Sequence, residues 1–268
     1  MKSFLFPLSC LLFFTSAGQE IKVYYENKEA GYIMYADNNE FCPSTVSLDL
    51  TLKNMHFSNA DNVVIIPAMA QKFKLGEINR SDVSKAYTFS YRYNYTRGNT
   101  KSKNYNAAYV YDLPFKKGKE FRLYQGYNGL FSHQNENALD FTMPEGTEIT
   151  AAREGVIVKV VQDNTESCGR RECAKFNNYI TVYHSDGTFG EYMHIKYKGS
   201  VLKPGDVIKK GDLIAYSGNT GWSSGPHLHF ACYLPDLQTR QTISTNFRIG
   251  DGVKVLPLKE GEIYLKNY

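Results

Sequence analysis

Helical periodicity is nearly absent from this 268-residue sequence, and so is a large excess of charge of either sign. Apolar residues do not recur at the three- and four-residue spacing of an amphipathic helix, which argues against a helical bundle. Lys and Arg number 31 against 27 Asp and Glu, a net charge of +4. This balance could assist approach to an anionic polymer, but it is too weak to indicate nucleic acid as a partner.

The sequence is rich instead in Tyr (21) and Phe (16), and aromatic residues favour β-strands. Short apolar segments separated by polar turns follow one another early in the chain, at 21–25, 32–35, 46–52, 62–66 and 87–93. Regular short strands of this kind predict an all-β protein with a β-sandwich-like domain over residues 19–108.

A second β-rich domain is predicted over residues 109–268. Within it, residues 201–208 are echoed by residues 207–214, each an apolar pair, a Lys-Pro-Gly or Lys-Lys-Gly turn and another apolar pair. Glycine gives such a turn a positive φ at no steric cost. The hybrid barrels of lipoyl and biotinyl carrier domains share this pattern. Because the Met-Lys-Met or Asp-Lys-Ala hairpin of those carriers is absent, the repeat is interpreted as scaffold.

The first 18 residues have the features of a secretory signal peptide. Lys2 precedes an apolar run at 4–14, and small residues follow at 15–18. The run is too short to anchor the chain in a bilayer. We therefore expect export to the periplasm, the cell envelope or the medium, without a stable membrane span after cleavage. A buried N-terminal helix and a lipoprotein modified at Cys10 are the alternatives.

Four of the five cysteines lie beyond this segment. Cys168 and Cys173 bound a short polar loop that suits a local disulfide, which an exported protein can keep. A cysteine-ligated zinc ion is the weaker alternative, because the spacing is wrong and no second pair lies nearby. Cys42 and Cys232 form either a long-range bridge or two buried thiols.

A pair of histidines near the end of the chain points to a metal site. In the stretch Gly-Pro-His-Leu-His-Phe at 225–230, His227 and His229 would share one face of a strand, and the apolar residues between and after them the other. Two incidental histidines on a strand are the alternative. Since the chain has only 6 His, a same-face pair is unexpected by chance.

Three further residues could complete a zinc site, which commonly takes three His, Asp or Glu ligands and leaves one position open. Asp140 lies between two apolar residues, where a carboxylate is costly to bury unless it is paired or bound to a cation. His133 precedes it, and His194 lies in Glu-Tyr-Met-His. A hydrogen-bonded acid at a strand end and a half-buried histidine are the structural alternatives. His184 is interpreted as a solvated turn residue.

The order of these motifs along the chain resembles that of the lysostaphin-type zinc endopeptidases that cut peptidoglycan. The resemblance covers about residues 125–233 and rests on His133 with Asp140, Tyr-Met-His at 192–194, Gly-Asn-Thr-Gly at 218–221 and the stretch at 225–230. It implies that residues 109–268 are a zinc metallopeptidase domain with an open antiparallel sheet and a hybrid-barrel core, and that this core covers residues 124–233.

The resemblance also implies the roles of the site residues. One zinc ion per chain would be held by His133, Asp140 and His229. His194 and His227 would form an unliganded catalytic pair, and Tyr127 would assist the oxyanion. In the common form of the family the first two ligands are four residues apart, but here they are seven apart, so the loop 134–137 must bulge.

These residue types imply hydrolysis by a metal-activated water. Glu136 and Glu191 are alternative general bases, and the absence of a His-Glu-x-x-His motif argues against a thermolysin-like design. The expected substrate is peptidoglycan, cut at a stem-peptide cross-link or a glycine-containing bridge. Trp222 either walls the groove or lies in a plain connector. A catalytically silent wall-binding or regulatory module with the same fold is the alternative function, and no oligomeric state is indicated.

Overall fold

The computed structural model describes residues 20–268, so the predicted signal peptide at 1–18 lies outside the described residues. Strands account for 51% of the structure and helix for 2%, which confirms the prediction of an all-β protein. Within residues 20–268 no helix has the length and apolar character needed to cross a membrane.

Seven strands at the amino-terminal end form two small sheets. They are β1 Ile21–Lys28, β2 Gly31–Asn38, β3 Ser44–Lys53, β4 Met55–Phe57, β5 Val63–Ile66, β6 Phe73–Arg80 and β7 Thr88–Arg97. One sheet has the order β1-β2-β6-β4 and the other β5-β3-β7. Their apolar faces bury one cluster that includes Met34, Val46 and Ile78. Alternation along β3 predicted this half-buried strand, because successive side chains point to opposite faces.

The remaining strands and the 3₁₀ helix Arg171–Phe176 follow from residue 110 onward. The strands are β8 Val110–Tyr111, β9 Lys119–Gln125, β10 Ala138–Phe141, β11 Glu148–Thr150, β12 Gly155–Val161, β13 Ser167–Cys168, β14 Tyr179–Tyr183, β15 Phe189–Met193, β16 Ile195–Ser200, β17 Val207–Ile208, β18 Leu213–Ser217, β19 Gly221–Trp222, β20 Leu228–Leu234, β21 Gln241–Ile243, β22 Asn246–Ile249, β23 Lys254–Leu256 and β24 Ile263–Lys266.

An open nine-stranded sheet is the platform of this part of the chain. Its order is β17-β12-β14-β15-β20-β10-β9-β24, with β21 paired to β20. Small sheets β11-β18-β16, β23-β22-β8 and the parallel pair β13-β19 flank it. Along β20, Leu228 and Phe230 enter the main core, whereas His229 lies on the opposite face. The predicted two-sided character of this stretch is therefore confirmed.

The two sets of strands are joined by both apolar and ionic contacts. Cys42 packs with Val158 and Phe189 of the large sheet. The carboxylate of Glu20 contacts Arg97 at 2.6 Å and Lys159 at 2.9 Å. Because these contacts cross the expected junction near residue 108, the domain limits 19–108 and 109–268 stay a prediction.

The repeated Gly turns and the cysteines agree with their sequence patterns. Gly205 and Gly211 have φ of +96° and +89°, values that L side chains rarely adopt. Cys168 and Cys173 form a disulfide, as predicted. Cys42 and Cys232 are both buried free thiols, which rules out the long-range bridge between them.

The interpretation of His184 as a solvated residue was wrong. Its side chain is fully buried, and Nδ1 lies 2.8 Å from the carbonyl oxygen of Glu154. The turn that follows β14 points the ring into the protein, against Gly190 of β15. A turn-forming sequence alone does not reveal which side of a sheet its first residue faces.

Candidate active site

Three of the predicted site residues meet above the large sheet. Asp140 on β10 and His229 on β20 are direct cross-strand neighbours, and His133 reaches them from the loop between β9 and β10. The His229 Nδ1 atom lies 2.9 Å from Asp140 Oδ1, and His133 Nε2 lies 3.2 Å from Asp140 Oδ2. One nitrogen or oxygen from each residue lies within 4.8 Å of the others, so these residues could hold one metal ion.

The loop between His133 and Asp140 folds back on itself to accommodate the long spacing. The N–H of Glu136 donates to the carbonyl of His133 at 2.9 Å, and the N–H of Asn128 donates to the carbonyl of Glu136 at 2.8 Å. His133 Nδ1 lies 3.0 Å from the carbonyl oxygen of Gly126. A carbonyl can only accept, so Nδ1 donates to it, and Nε2 is the atom that faces Asp140 and could bind a metal once it is deprotonated.

The charge of Asp140 is compensated by histidines alone. Burial by itself would raise the pKa of this carboxyl, but hydrogen bonds from His133 and His229 hold it well below its usual range. Within residues 20–268, no Lys or Arg lies within ion-pair distance of it. A buried carboxylate whose ionisable partners are all imidazoles is the environment expected of a metal ligand.

His194 and His227 lie beside this triad, with ring centroids 4.5 Å apart. His194 Nδ1 is 2.7 Å from the carbonyl oxygen of Thr220, and His227 Nδ1 is 2.8 Å from that of Gly225. Each ring therefore donates through Nδ1 and keeps a free lone pair on Nε2. Burial lowers the pKa of both rings, that of His194 to about 3, which favours the neutral form of each.

A cavity of about 420 Å³ opens above the five residues. Its lining includes Trp222, Arg171, Tyr124 and Phe131. The disulfide-closed loop lies alongside Trp222, because β13 pairs in parallel with β19 and the Trp222 N–H donates to Asn177 Oδ1 at 2.9 Å. Of the two interpretations of Trp222, the structure favours the groove wall.

Tyr127 is placed differently from the prediction. Its hydroxyl lies 2.8 Å from the Thr245 hydroxyl and 3.0 Å from the Thr245 carbonyl oxygen, and it does not line the cavity. The resemblance located a tyrosine by its distance along the chain, but the turn after β9 points this one into the protein. The geometry gives no support to an oxyanion role for Tyr127, whereas the exposed Tyr124 does line the cavity.

Sequence reasoning also missed the polar residues around the triad. Gln125 is buried and donates from Nε2 to Asp140 Oδ2 at 2.9 Å. Arg240 lines the cavity and forms an ion pair with the buried Glu191, so Glu191 is less suited to act as a free base. No sequence signal could have located them, because each is distant along the chain from its partner: 15 residues separate Gln125 from Asp140 and 49 separate Arg240 from Glu191.

Residues 134–242 match the model of peptidase family M23. The chain contains an M23 peptidase domain. This confirms the family expected from the resemblance. The M23 domain is a metallopeptidase domain, and the Asp140, His194, His227 and His229 positions all fall inside the match.

Curated relatives of the M23 domain include named peptidoglycan endopeptidases. The glycyl-glycine endopeptidase ALE-1 of Staphylococcus capitis is 35% identical over 129 residues, which are 47% of this chain and 31% of that protein. Lysostaphin of Staphylococcus simulans is 35% identical over 119 residues, 43% of this chain and 21% of that protein. The peptidoglycan DD-endopeptidase ShyA of Vibrio cholerae is 32% identical over 94 residues, 35% of this chain and 19% of that protein.

Among solved structures, the catalytic domain of lysostaphin from Staphylococcus simulans is similar to this chain. It is 28% identical, with a TM-score of 0.35, and the match covers 52% of this chain and 95% of that domain. This chain spans less than a third of the length of the curated relatives named above.

Proposed function

We propose that this protein is an exported zinc-dependent endopeptidase that hydrolyses peptide bonds in bacterial peptidoglycan. The observation that carries the proposal is the convergence of the buried Asp140 with four histidines below an open cavity. Three of the five residues suit a metal, and the other two have free Nε2 atoms. A catalytic zinc site needs this division between ligands and acid–base groups.

The donor set fits zinc. Two imidazole nitrogens and one carboxylate oxygen, from His133, His229 and Asp140, are the ligands zinc takes in hydrolases, with a fourth position left open. The Gly126 carbonyl orients His133 in the way that a second hydrogen bond commonly orients a metal-ligating histidine. When bound, zinc supplies Lewis acidity, which acidifies a water molecule and polarises a carbonyl group.

His194 and His227 supply the proton transfers of the reaction. The neutral form is favoured in both and Nε2 is free, so they can accept a proton from water and return it to the departing amine. Their Nδ1 atoms are bound to the carbonyls of Thr220 and Gly225, which prevents the rings from turning away. A protonated imidazole there also stabilises the negative charge that develops on the carbonyl oxygen.

The substrate is proposed from the relatives. One is named a glycyl-glycine endopeptidase and another a peptidoglycan DD-endopeptidase, so either a glycine-containing bridge or a stem-peptide cross-link is the bond cut. The aromatic walls at Trp222 and Tyr124 suit an extended peptide lying across the metal site.

A catalytically silent wall-binding module is the rival function. Such a module would be expected to lack one or more of the five residues, and all five are present in this chain. A decisive experiment measures bound metal by mass spectrometry and incubates the purified protein with peptidoglycan. We expect one zinc per chain and released muropeptides with new amine termini, whose masses identify the bond. Wall binding without zinc and without cleavage would support the rival.

A further inference from the structure

Gln125, at the end of β9, uses its whole hydrogen-bonding capacity inside the protein. Nε2 donates to Asp140 Oδ2 at 2.9 Å and to Ser132 Oγ at 2.8 Å. Oε1 accepts from the backbone N–H groups of Phe131 and Ser132 at 3.1 and 2.9 Å. A primary amide offers two donors and two acceptor lone pairs, so every one of them is satisfied.

These four bonds connect the two ends of the unusually long segment between the expected ligands. On one side the amide holds the carboxylate of Asp140, which is opposite Gln125 in the strand register. On the other side it holds the backbone of Ser132, the residue directly before His133. The carbonyl of Gly126, the residue directly after Gln125, binds His133 Nδ1 at 3.0 Å.

The loop is shaped around this side chain. A Cβ atom at Gly129 would lie 2.4 Å from Gln125 Cγ, so only glycine allows the loop to pass so close. Gln125 is itself 3% exposed, which removes competition from water for its four bonds. The amide is thus enclosed by the loop that carries His133 and by the strand that carries Asp140.

We propose that Gln125 is the positioning residue that brings His133 and Asp140 to one metal ion despite their seven-residue separation. The inference rests on the proposed zinc site but not on peptide hydrolysis. Hydrogen bonds to metal ligands orient them and raise metal affinity, commonly by 10- to 100-fold. Here one side chain orients two ligands, one directly and one through the loop backbone.

The chemistry of the amide makes a sharp test possible. In Gln125→Glu the new carboxylate still accepts from both backbone N–H groups, so the loop keeps these bonds. The variant loses the hydrogen bond donated to Asp140 and places a second carboxylate next to it, which repels its negative charge. In Gln125→Met the shape is similar, but donors and acceptors are both lost. Gln162→Glu is the matched control, because Gln162 Oε1 accepts from the Ser200 N–H at 2.9 Å and Gln162 does not line the cavity.

We expect zinc affinity, measured by competition with a chromophoric chelator, to fall about 10- to 100-fold in both Gln125 variants and to stay at the wild-type value in Gln162→Glu. The visible absorption of the cobalt-substituted protein should change in the Gln125 variants only. Circular dichroism of the metal-free proteins identifies the variants that remain folded.

Zinc affinity within twofold of wild type in a folded Gln125 variant overturns the inference. A wild-type protein that binds no zinc overturns the metal site itself, which is a separate result.

Discussion

Two clusters of polar residues lie on opposite faces of strand β20, and each contains histidine. The cleft cluster is made of His133, Asp140, His194, His227 and His229. The core cluster is made of Tyr111, Arg153, His184, Thr188 and Cys232. The core cluster is buried throughout, whereas the cleft cluster includes the partly exposed His227. In both clusters burial lowers the pKa of a histidine, to about 3 for His194 and about 4 for His184.

The clusters differ in where the second nitrogen of each ring points. In the core cluster, His184 Nε2 has no hydrogen-bond partner among residues 20–268, and a Cβ atom at Gly190 would lie only 2.9 Å from it. Arg153 completes the cluster by donating to the Tyr111 hydroxyl at 3.1 Å and pairing with Asp186 at 3.0 Å. In the cleft cluster, the free nitrogens converge on a carboxylate and an open cavity.

A strongly lowered pKa therefore does not by itself mark a functional histidine. Burial, with a smaller contribution from the positive charge of Arg153, produces it in the core cluster, where the ring has no space for a substrate or a metal. What distinguishes the cleft cluster is that several lone pairs meet at one accessible point. The predictions that follow test this difference, from the largest expected effect to the smallest.

Replacing His229 with Ala should have the largest effect. Removing one of three ligands should reduce bound zinc from one per chain to nearly none, and muropeptide release should fall below detection. Metal content by mass spectrometry and muropeptide analysis would be measured on the same sample. Retention of both zinc and activity would remove the functional distinction between the two clusters.

Replacing His227 with Ala should separate chemistry from metal binding. We expect cleavage to fall by roughly 10²- to 10⁴-fold, the usual contribution of a general acid or base, while most of the zinc stays bound. The initial rate of amine release at equal zinc occupancy is the measurement. If zinc is lost in proportion to activity, His227 acts as a ligand and the division of roles proposed for the cleft cluster is wrong.

The core cluster should affect stability at acid pH and leave cleavage unchanged. Unfolded His184 takes up a proton below its ordinary pKa of 6.5, whereas the folded residue resists protonation until about pH 4. Its contribution to stability is therefore present above pH 6.5 and is lost as the pH falls, by about 3 kcal/mol at about pH 4.

His184→Gln should show a correspondingly smaller loss of stability between about pH 7.5 and pH 4, and muropeptide release within about twofold of wild type. Urea unfolding across this pH range measures the loss of stability, and a cleavage assay at neutral pH measures muropeptide release. An identical pH dependence in both proteins would show that His184 is not the buried neutral group inferred from the structure.

Tyr127→Phe should have the smallest effect. Loss of its bonds to Thr245 should reduce the free energy of unfolding by about 1 kcal/mol without changing cleavage. Tyr124→Phe, in a residue that lines the cavity, is the matched comparison and should slow cleavage without destabilising the protein. The reverse pattern, slow cleavage only in Tyr127→Phe, would restore the oxyanion role expected from the resemblance.

Local sequence patterns predicted much of this protein. Alternation along 46–52 and 225–230 predicted two-sided strands, because side-chain direction in a strand follows from residue parity. The short loop between Cys168 and Cys173 predicted its disulfide. The family was identified from the order and type of the site residues, and the five side chains of the cleft cluster were singled out before any was located in space.

Only the tertiary structure determined which residues surround that site. Gln125 and Asp140 are 15 residues apart, and Asp140 and His229 are 89 apart, yet strand register makes each pair neighbours. Turn geometry buried His184 and pointed Tyr127 away from the cavity. The alternation of side chains along a strand and the residues that favour a turn are properties of a few adjacent residues. Strand register and side-chain burial depend on how strands distant in sequence pack together. The sequence therefore determined the chemistry, and the packing determined which side chains can take part in it.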